Sequence, residues 1–175
     1  MELIEKKKVE APGIMLRIKE LFFDWLFICG YLLLLLIATL IFYFFIFKGI
    51  PKFTNLQSQL ISTFTTVVPL IIIFSIMEGT NNFASWGKNK LGLKVIYEGS
   101  PIKGSFIRNT LKFLPWQFGH MSTINGIYHD FNTAFSMTFL TLSMLLSIIY
   151  LSMGLLGKDK RHLADILARS SVVKN

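Results

Sequence analysis

The sequence RIKELFFDWLFICGYLLLLLIATLIFYFFIF, residues 17–47, decides the fold of this chain. After Asp24, its last 23 residues (25–47) carry no charged side chain. As an α-helix with a rise of 1.5 Å per residue they would measure about 35 Å, more than the roughly 30 Å hydrocarbon core of a bilayer. Arg17 and Asp24 are two turns apart and share one face of this helix. The stretch therefore predicts a transmembrane helix with an ionisable pair at its entrance, where an ionised Asp is costly unless it is paired, hydrated or protonated.

Composition places the whole chain, residues 1–175, in one membrane domain. It is 53% hydrophobic and 16% charged, whereas a soluble domain carries about 25% charge. The net charge of +8 comes without the aromatic and basic pattern of a nucleic-acid interface, so anionic lipid head groups are the expected partners. The single Cys29 cannot form an intramolecular disulfide.

Three apolar runs predict transmembrane helices at about 21–47, 60–77 and 133–156. Pro69 interrupts the second run; it frees the carbonyl of Thr65 and predicts a kink. The neighbouring threonine hydroxyls either bond locally to the backbone or line a polar path. In the third run a stripe of small residues favours close helix packing over the lining of a solute path; its members are Ser136, Ser143, Ser147 and Gly154.

Basic residues predict the topology. Lysines at positions 6–8, with Arg17 and Lys19, place the N-terminus in the cytoplasm, and the loop 79–112 and the tail after residue 157 are also basic. Three spans would leave that tail outside, so we expect a fourth penetrating or re-entrant segment at about 106–120, with both termini cytoplasmic. Arg108 must then face the bundle interior or the interface. The predicted fold is an all-α membrane protein, a small helical bundle with basic interfacial helices in the loop and tail.

Four segments resemble the RDD family of membrane proteins. The Arg-x6-Asp of residues 17–24 is similar to the family's start, and GKNKLGLKV at 87–95 is similar to its Gly-Lys-x3-Gly-Leu-x-Val loop. The segment RNTLKFLPW at 108–116, followed by His120, resembles the basic helix of one branch. RHLAD at 161–165 resembles the terminal Arg-x-Leu-His-Asp element, although Ala164 stands where the family has His. The resemblance implies a multi-pass protein of the bacterial inner membrane; cation/proton antiport has been proposed for some relatives.

The predicted functional residues form a charge network: Arg17, Asp24, Arg108 and Asp165. A carboxylate at the membrane boundary can alternate between a proton and a cation, and Asp24 is the candidate for this role, with Arg108 or Arg17 as its counter-charge. The alternative is a set of structural ion pairs, in which Asp165 pairs locally with Arg161 and Arg169.

The remaining polar residues predict contacts rather than catalysis. Lys88, Lys90 and Lys94 are candidates for lipid or partner contact. His120, His129 and Asp130 could form an external cluster, but they lack the spacing of a metal site. No catalytic motif is present, so we expect no enzyme activity, cofactor or metal.

Two functions fit this sequence. One is a small, transporter-like cation/proton protein. The other is a membrane-embedded accessory or interaction subunit without transport of its own. In either case we expect a homo-oligomer or a partner membrane protein.

Overall fold

The computed structural model describes residues 11–80 and 82–175. The lysines at positions 6–8, on which the predicted orientation partly depends, lie outside the described residues. The elements, in chain order, are α1 (Ile14–Phe45), α2 (Asn55–Ser62), a π-helical turn (Thr63–Val67), α3 (Val68–Gly79), α4 (Trp86–Lys90), β1 (Leu93–Tyr97), α5 (Pro101–Lys112), α6 (Leu114–Tyr128), α7 (Ala134–Leu156), α8 (Leu163–Leu167) and β2 (Ser170–Lys174).

Within the described residues, three helices are long and apolar enough to span a membrane: Ile14–Phe45, Asn55–Gly79 and Ala134–Leu156. They confirm the predicted helical membrane fold. The second of these is α2, the π-helical turn and α3 joined without a break. It begins five residues before the predicted start because Thr54 and Gln57 form a capping box at its N-terminus.

The π-helical turn lies just before Pro69, which has no N–H to donate to the carbonyl of Thr65. The hydroxyl of Tyr31 on α1 donates to that carbonyl over 2.5 Å instead. Thr65 and Thr66 donate to backbone carbonyls one turn earlier. The threonine bonds agree with the interpretation in which these hydroxyls bond locally to the backbone. The Tyr31 bond connects α1 to the irregular part of the second helix.

A break at Phe113 separates α5 from α6, so the segment predicted at 106–120 is divided between two helices. α6 runs antiparallel to α2 and the π-helical turn: Gln117 bonds Thr63 over 2.9 Å, and Tyr128, at the other end, donates to the carbonyl of Phe53 over 2.7 Å. α7 then returns alongside α6, where the Ser143 hydroxyl donates to the carbonyl of Pro115 over 2.7 Å. Ser136 and Ser143 of the small-residue stripe of α7 therefore contact α6, whereas Gly154 lies against His162 of the tail.

The tail does not form the surface helix that its sequence predicts. It contains the short helix α8 and then β2, which pairs antiparallel with β1 in a register that opposes Leu93 to Lys174 and Tyr97 to Ser170. Val95 and Val172 are buried in this small sheet. The pairing brings the C-terminus to the same end of the bundle as the loop between α3 and α5. α1, α2–α3, α6 and α7 thus run alternately between the two ends.

Candidate functional site

Eight charged side chains converge at the end of the bundle that holds the sheet. They come from α1, α3, α4, α5 and α8, and they are Arg17, Glu20, Asp24, Glu78, Lys88, Arg108, Lys112 and Asp165. Four are basic and four are acidic, so the charges balance when all are ionised. We call this set the charge network.

Six members of the network form a closed ring in which positive and negative side chains alternate. In order around the ring they are Arg17, Glu20, Lys88, Glu78, Arg108 and Asp165, which closes on Arg17. Each of the six is at most 5% exposed. A buried charge is very unfavourable alone, so the alternating order is what makes this cluster possible in an apolar surrounding.

Lys88 and Arg108 connect the loop to the helices. The Lys88 ammonium lies 2.6 Å from a Glu20 oxygen and 2.9 Å from a Glu78 oxygen. The Arg108 guanidinium contacts the other oxygen of Glu78 and, through Nε, an Asp165 oxygen at 2.5 Å. Asn109 also donates to Glu78 over 3.0 Å. Both carboxylate oxygens of Glu78, at the end of α3, therefore have hydrogen-bond partners: Lys88 on one oxygen, and Arg108 and Asn109 on the other.

Arg17 closes the ring between α1 and the tail. Its guanidinium lies 2.7 Å from Glu20 and 3.8 Å from Asp165, and it donates to the carbonyl of Lys160 over 2.7 Å. Since Arg17 and Glu20 are three residues apart on α1, Arg17 can contact Glu20 and the docked tail at the same time.

Asp24 lies beside the ring. One carboxylate oxygen accepts the Ser85 hydroxyl and the other accepts the Gly87 N–H, each over 2.8 Å. Its cationic neighbours are more distant: Lys88 at 3.7 Å and Lys112 at 3.8 Å. The predicted partners Arg17 and Arg108 are engaged in the ring instead.

Gly87 allows the loop to approach α1 this closely. A Cβ at this position would lie 2.5 Å from the carbonyl oxygen of Glu20 and 2.8 Å from the Asp24 carboxylate. Ser85 is the N-cap residue of α4, three residues before Lys88; its hydroxyl makes no capping hydrogen bond to the helix and accepts from the Lys88 ammonium over 3.1 Å. The Gly-Lys pair of the loop therefore serves the network directly.

The surroundings set the protonation of the groups outside the spanning helices. Burial alone would lower the pKa of Lys88, but Glu20, Glu78 and Asp24 raise it above its ordinary value. Burial lowers the pKa of Lys112, and repulsion by Lys88 lowers it further, against the attraction of Asp24. Lys112 is thus the lysine of the network that releases its proton more easily.

In the tail, His162 and Asp165 form a capping box at the start of α8. Although burial opposes ionisation of Asp165, the Arg108 guanidinium brings the pKa of this carboxyl down to about 2. Burial lowers the pKa of His162 to about 3 in spite of the nearby Asp165 carboxylate. At neutral pH, Asp165 is therefore ionised and His162 is neutral.

The structure brings together Arg17, Asp24, Arg108 and Asp165, the four residues selected from the sequence. It buries Lys88 completely in the network, away from the surface contact predicted for it. Lys90 is exposed and lies 4.4 Å above the Phe23 ring, and Lys94 is half-buried in β1. Asp165 pairs with Arg108 and not with its neighbours in sequence, Arg161 and Arg169.

Sequence reasoning missed three members of the network: Glu20, Glu78 and Lys112. For two of them the sequence position could have indicated a place in the network. Glu20 shares a helix face with Arg17 and Asp24, and Glu78 lies at the end of a long apolar run.

The histidines of the opposite half of the molecule do not meet. His120 Nδ1 lies 2.6 Å from the Ser62 hydroxyl and its Nε2 accepts the Trp116 N–H over 2.6 Å, whereas His129 lies 3.5 Å from the Asn55 amide. Asp130 is in the turn after α6. Among residues 11–80 and 82–175, no three His, Cys, Asp or Glu side chains are grouped as a metal site.

Two cavities adjoin the network. A small one of about 90 Å³ is bordered by Arg17, Glu20, Arg108, Lys112 and His162. A groove of about 600 Å³ lies between α1, α6 and α7, with Asp24 and Lys112 at one end and His120 at the other. Asp24 and Lys112 are thus the pair that connects the network to the groove.

The profile of the RDD family matches residues 11–169, which is most of the chain and includes every member of the charge network. The chain belongs to the RDD family. As an RDD membrane protein it carries several apolar helices. Each of the four segments that resemble the family contributes at least one residue to the charge network. Neither a curated protein nor a solved structure matches the chain closely enough to add to this assignment.

Proposed function

We propose that this RDD protein exchanges a monovalent cation for a proton across the bacterial cell membrane, and that Asp24 and Lys112 are the exchanging pair. The observation that carries the proposal is the geometry of this pair. The two charged groups are 3.8 Å apart without a hydrogen bond between them, and both side chains line the groove between α1, α6 and α7.

The chemistry of the pair allows exchange without a change in charge. When Lys112 releases its proton to water, Asp24 loses a counter-charge and a monovalent cation can take that place beside the carboxylate. One proton leaves and one cation enters, so the pair is neutral before and after. The lowered pKa of Lys112 supports this step, because less free energy is needed to deprotonate it than an ordinary lysine.

The ring provides a fixed frame for this pair. Lys88 contacts Glu20 and Glu78 at 2.6 and 2.9 Å and has a raised pKa, so it stays charged while Lys112 changes. Hydrogen bonds from Ser85 and Gly87 hold the Asp24 carboxylate in place throughout. We place this end of the bundle at the cytoplasmic face, because the basic loop and tail lie there.

Everted membrane vesicles with a pH-sensitive dye test the proposal. We expect Na⁺ or K⁺ to change the dye signal in vesicles with the wild-type protein, and Asp24→Asn to abolish this response. Glu98→Gln is the matched control, since Glu98 is an exposed acid in the same loop region and should leave the response unchanged. A wild-type response from Asp24→Asn at equal protein level would contradict the proposal.

A second function is favoured by one observation, the closure and charge balance of the ring. In this second function the ring has a structural role alone: it holds α1, the loop and the tail together in a membrane-embedded accessory subunit. Wild-type vesicles would then show no cation response, and a partner protein would copurify in mild detergent. Exposed Lys90 and half-buried Lys94 are the residues to neutralise in that experiment, because loss of buried Lys88 would damage the fold itself.

A further inference from the structure

The groove between α1, α6 and α7 has the form of a site for an elongated apolar molecule. Its sides include the large side chains of Trp25, Ile28 and Leu151, and small residues at Gly119 and Ser147 leave the space between the helices open. Trp25 is 57% exposed and Leu151 is 51% exposed, so the groove opens laterally between two helices that can span a membrane. Lipid chains are the medium that this opening faces.

The dimensions of the groove agree with one leaflet of a bilayer. On α7 its lining extends from Ser143 to Leu151, a separation of eight rises of 1.5 Å and therefore about 12 Å of helix. One leaflet of the hydrocarbon core is about 15 Å thick. A transmembrane helix of a second copy would need roughly 900 Å³ over the same length, since a helix is about 10 Å wide. The groove of about 600 Å³ can enclose only part of that helix.

The charged end of the groove supplies a cation with free donors. Lys112 has 18% of its side chain exposed, and its ammonium carries three N–H groups. In the described part of the chain its contacts are the ion pair with Asp24 at 3.8 Å and the Phe74 ring at 5.0 Å, and it makes no hydrogen bond there. The oxygens of Asp24 already accept hydrogen bonds from Ser85 and Gly87. A phosphate oxygen is the group that would accept hydrogen bonds from the N–H groups of Lys112.

We propose that this groove binds one anionic phospholipid, with its phosphate on Lys112 and one acyl chain between α1 and α7. The charge at one end and the apolar walls beyond it match the two parts of such a lipid. This site goes beyond the proposed exchange but shares Lys112 with it: the phosphate binds the protonated lysine, which is the form present before the proton leaves, and lipid binding is measured in the absence of any ion flux.

Native mass spectrometry of the full chain in mild detergent, with added phosphatidylglycerol, tests the site. We expect one tightly held lipid per chain, with an affinity lowered about tenfold in Lys112→Gln through loss of a charge-assisted contact. Ser147→Phe should also lower it, because the ring fills the groove at a distance from the charge network. Matched controls are Lys103→Gln on the same helix as Lys112 and Ser152→Phe on the exposed face of α7; both should bind as wild type.

Competitors distinguish the source of the phosphate and the class of occupant. Phosphatidylcholine should bind more weakly than phosphatidylglycerol, and inorganic phosphate at the same concentration should not displace the lipid. Equal binding by wild type, Lys112→Gln and Ser147→Phe would overturn the proposal. So would displacement by inorganic phosphate, or a lipid-free dimer whose dissociation is promoted by Ser147→Phe.

Discussion

At the scale of single residues, the charge network depends on each buried charge keeping its partners. Glu78 is the clearest case, because it contacts Lys88, Arg108 and Asn109 and is fully buried. We expect Glu78→Gln to lower the free energy of unfolding by about 3–5 kcal/mol, the cost of leaving buried charges uncompensated. Thermal or denaturant unfolding in detergent measures this change, and Glu98→Gln should alter it by less than about 0.5 kcal/mol.

A double-mutant cycle separates pairing from simple loss of packing. Since Glu78 and Arg108 are in direct contact, Glu78→Gln and Arg108→Gln together should cost less than the sum of the two single substitutions, by about 1–3 kcal/mol. Strict additivity of the two changes would show that the pair is not coupled in the folded protein.

His162 gives the tail a pH dependence of predictable sign. Its pKa is about 3 in the folded protein, against an ordinary value of 6.5. As the pH falls below 6.5 the unfolded chain binds a proton and the folded chain does not, so stability declines between about pH 6.5 and 3. Between pH 7 and 5 we expect a loss of about 1–2 kcal/mol.

His162→Asn should remove most of this loss, because Asn can accept the same helix N-cap hydrogen bond and does not titrate. The melting temperatures of both proteins at pH 7 and pH 5 provide the comparison. An equal decrease in the two proteins would assign the pH dependence to another group.

At the scale of the elements, the docking of α4 on α1 depends on the absence of a side chain at residue 87. Gly87→Ala would bring a Cβ within 2.5 Å of the Glu20 carbonyl, so backbone would have to move and the hydrogen bond from Gly87 to Asp24 would weaken. We expect lower stability and faster proteolysis of the loop. Gly99→Ala is the control, since a Cβ there meets nothing within 4 Å; similar proteolysis of both variants would argue against this role.

The elements also show how far the sequence could predict the fold. The uncharged runs predict α1, the second span and α7, because in lipid the backbone must be hydrogen-bonded within each segment. The tail was not predictable in the same way: its alternation is weak, and Val172 becomes a strand residue only because β1 lies next to it. The helix break at Phe113 does have a local signal in Pro115, which lies in the first turn of α6 and has no N–H to donate to the carbonyl of Leu111.

For the site, the sequence predicts several of the charged residues but not how they pair. The position of Arg17, Asp24 and Arg108 at the membrane boundary and the resemblance to the family predict Arg17, Asp24, Arg108 and Asp165 as one charged set, and all four lie in the network. Their partners could not be assigned, because which acid faces which base depends on how α3, α4 and α5 pack. Lys88 in particular reads as a surface residue in a basic loop, and only the close approach at Gly87 shows that it is buried.

At the scale of the whole molecule, the pairing of β1 with β2 places the tail at the end opposite the turn between α6 and α7. We expect single cysteines at Asp130 and Asn175, each in a Cys29→Ser background, to react with an impermeant thiol reagent from opposite sides of the membrane. Both positions are exposed, so access is not limited by burial. Labelling of both from the same side would contradict the expectation that α6 crosses the membrane in addition to the three candidate spans.

Exchange at Asp24 and Lys112 is the central functional claim, and flux through purified protein tests it most directly. In proteoliposomes we expect one proton to move for each Na⁺, with no net charge transferred, because the pair is neutral before and after each exchange. Lys112→Gln should uncouple or abolish the proton movement, and Asp24→Asn should abolish both fluxes. Na⁺ and proton fluxes that persist in Asp24→Asn, or wild-type liposomes that move neither ion, would contradict the claim.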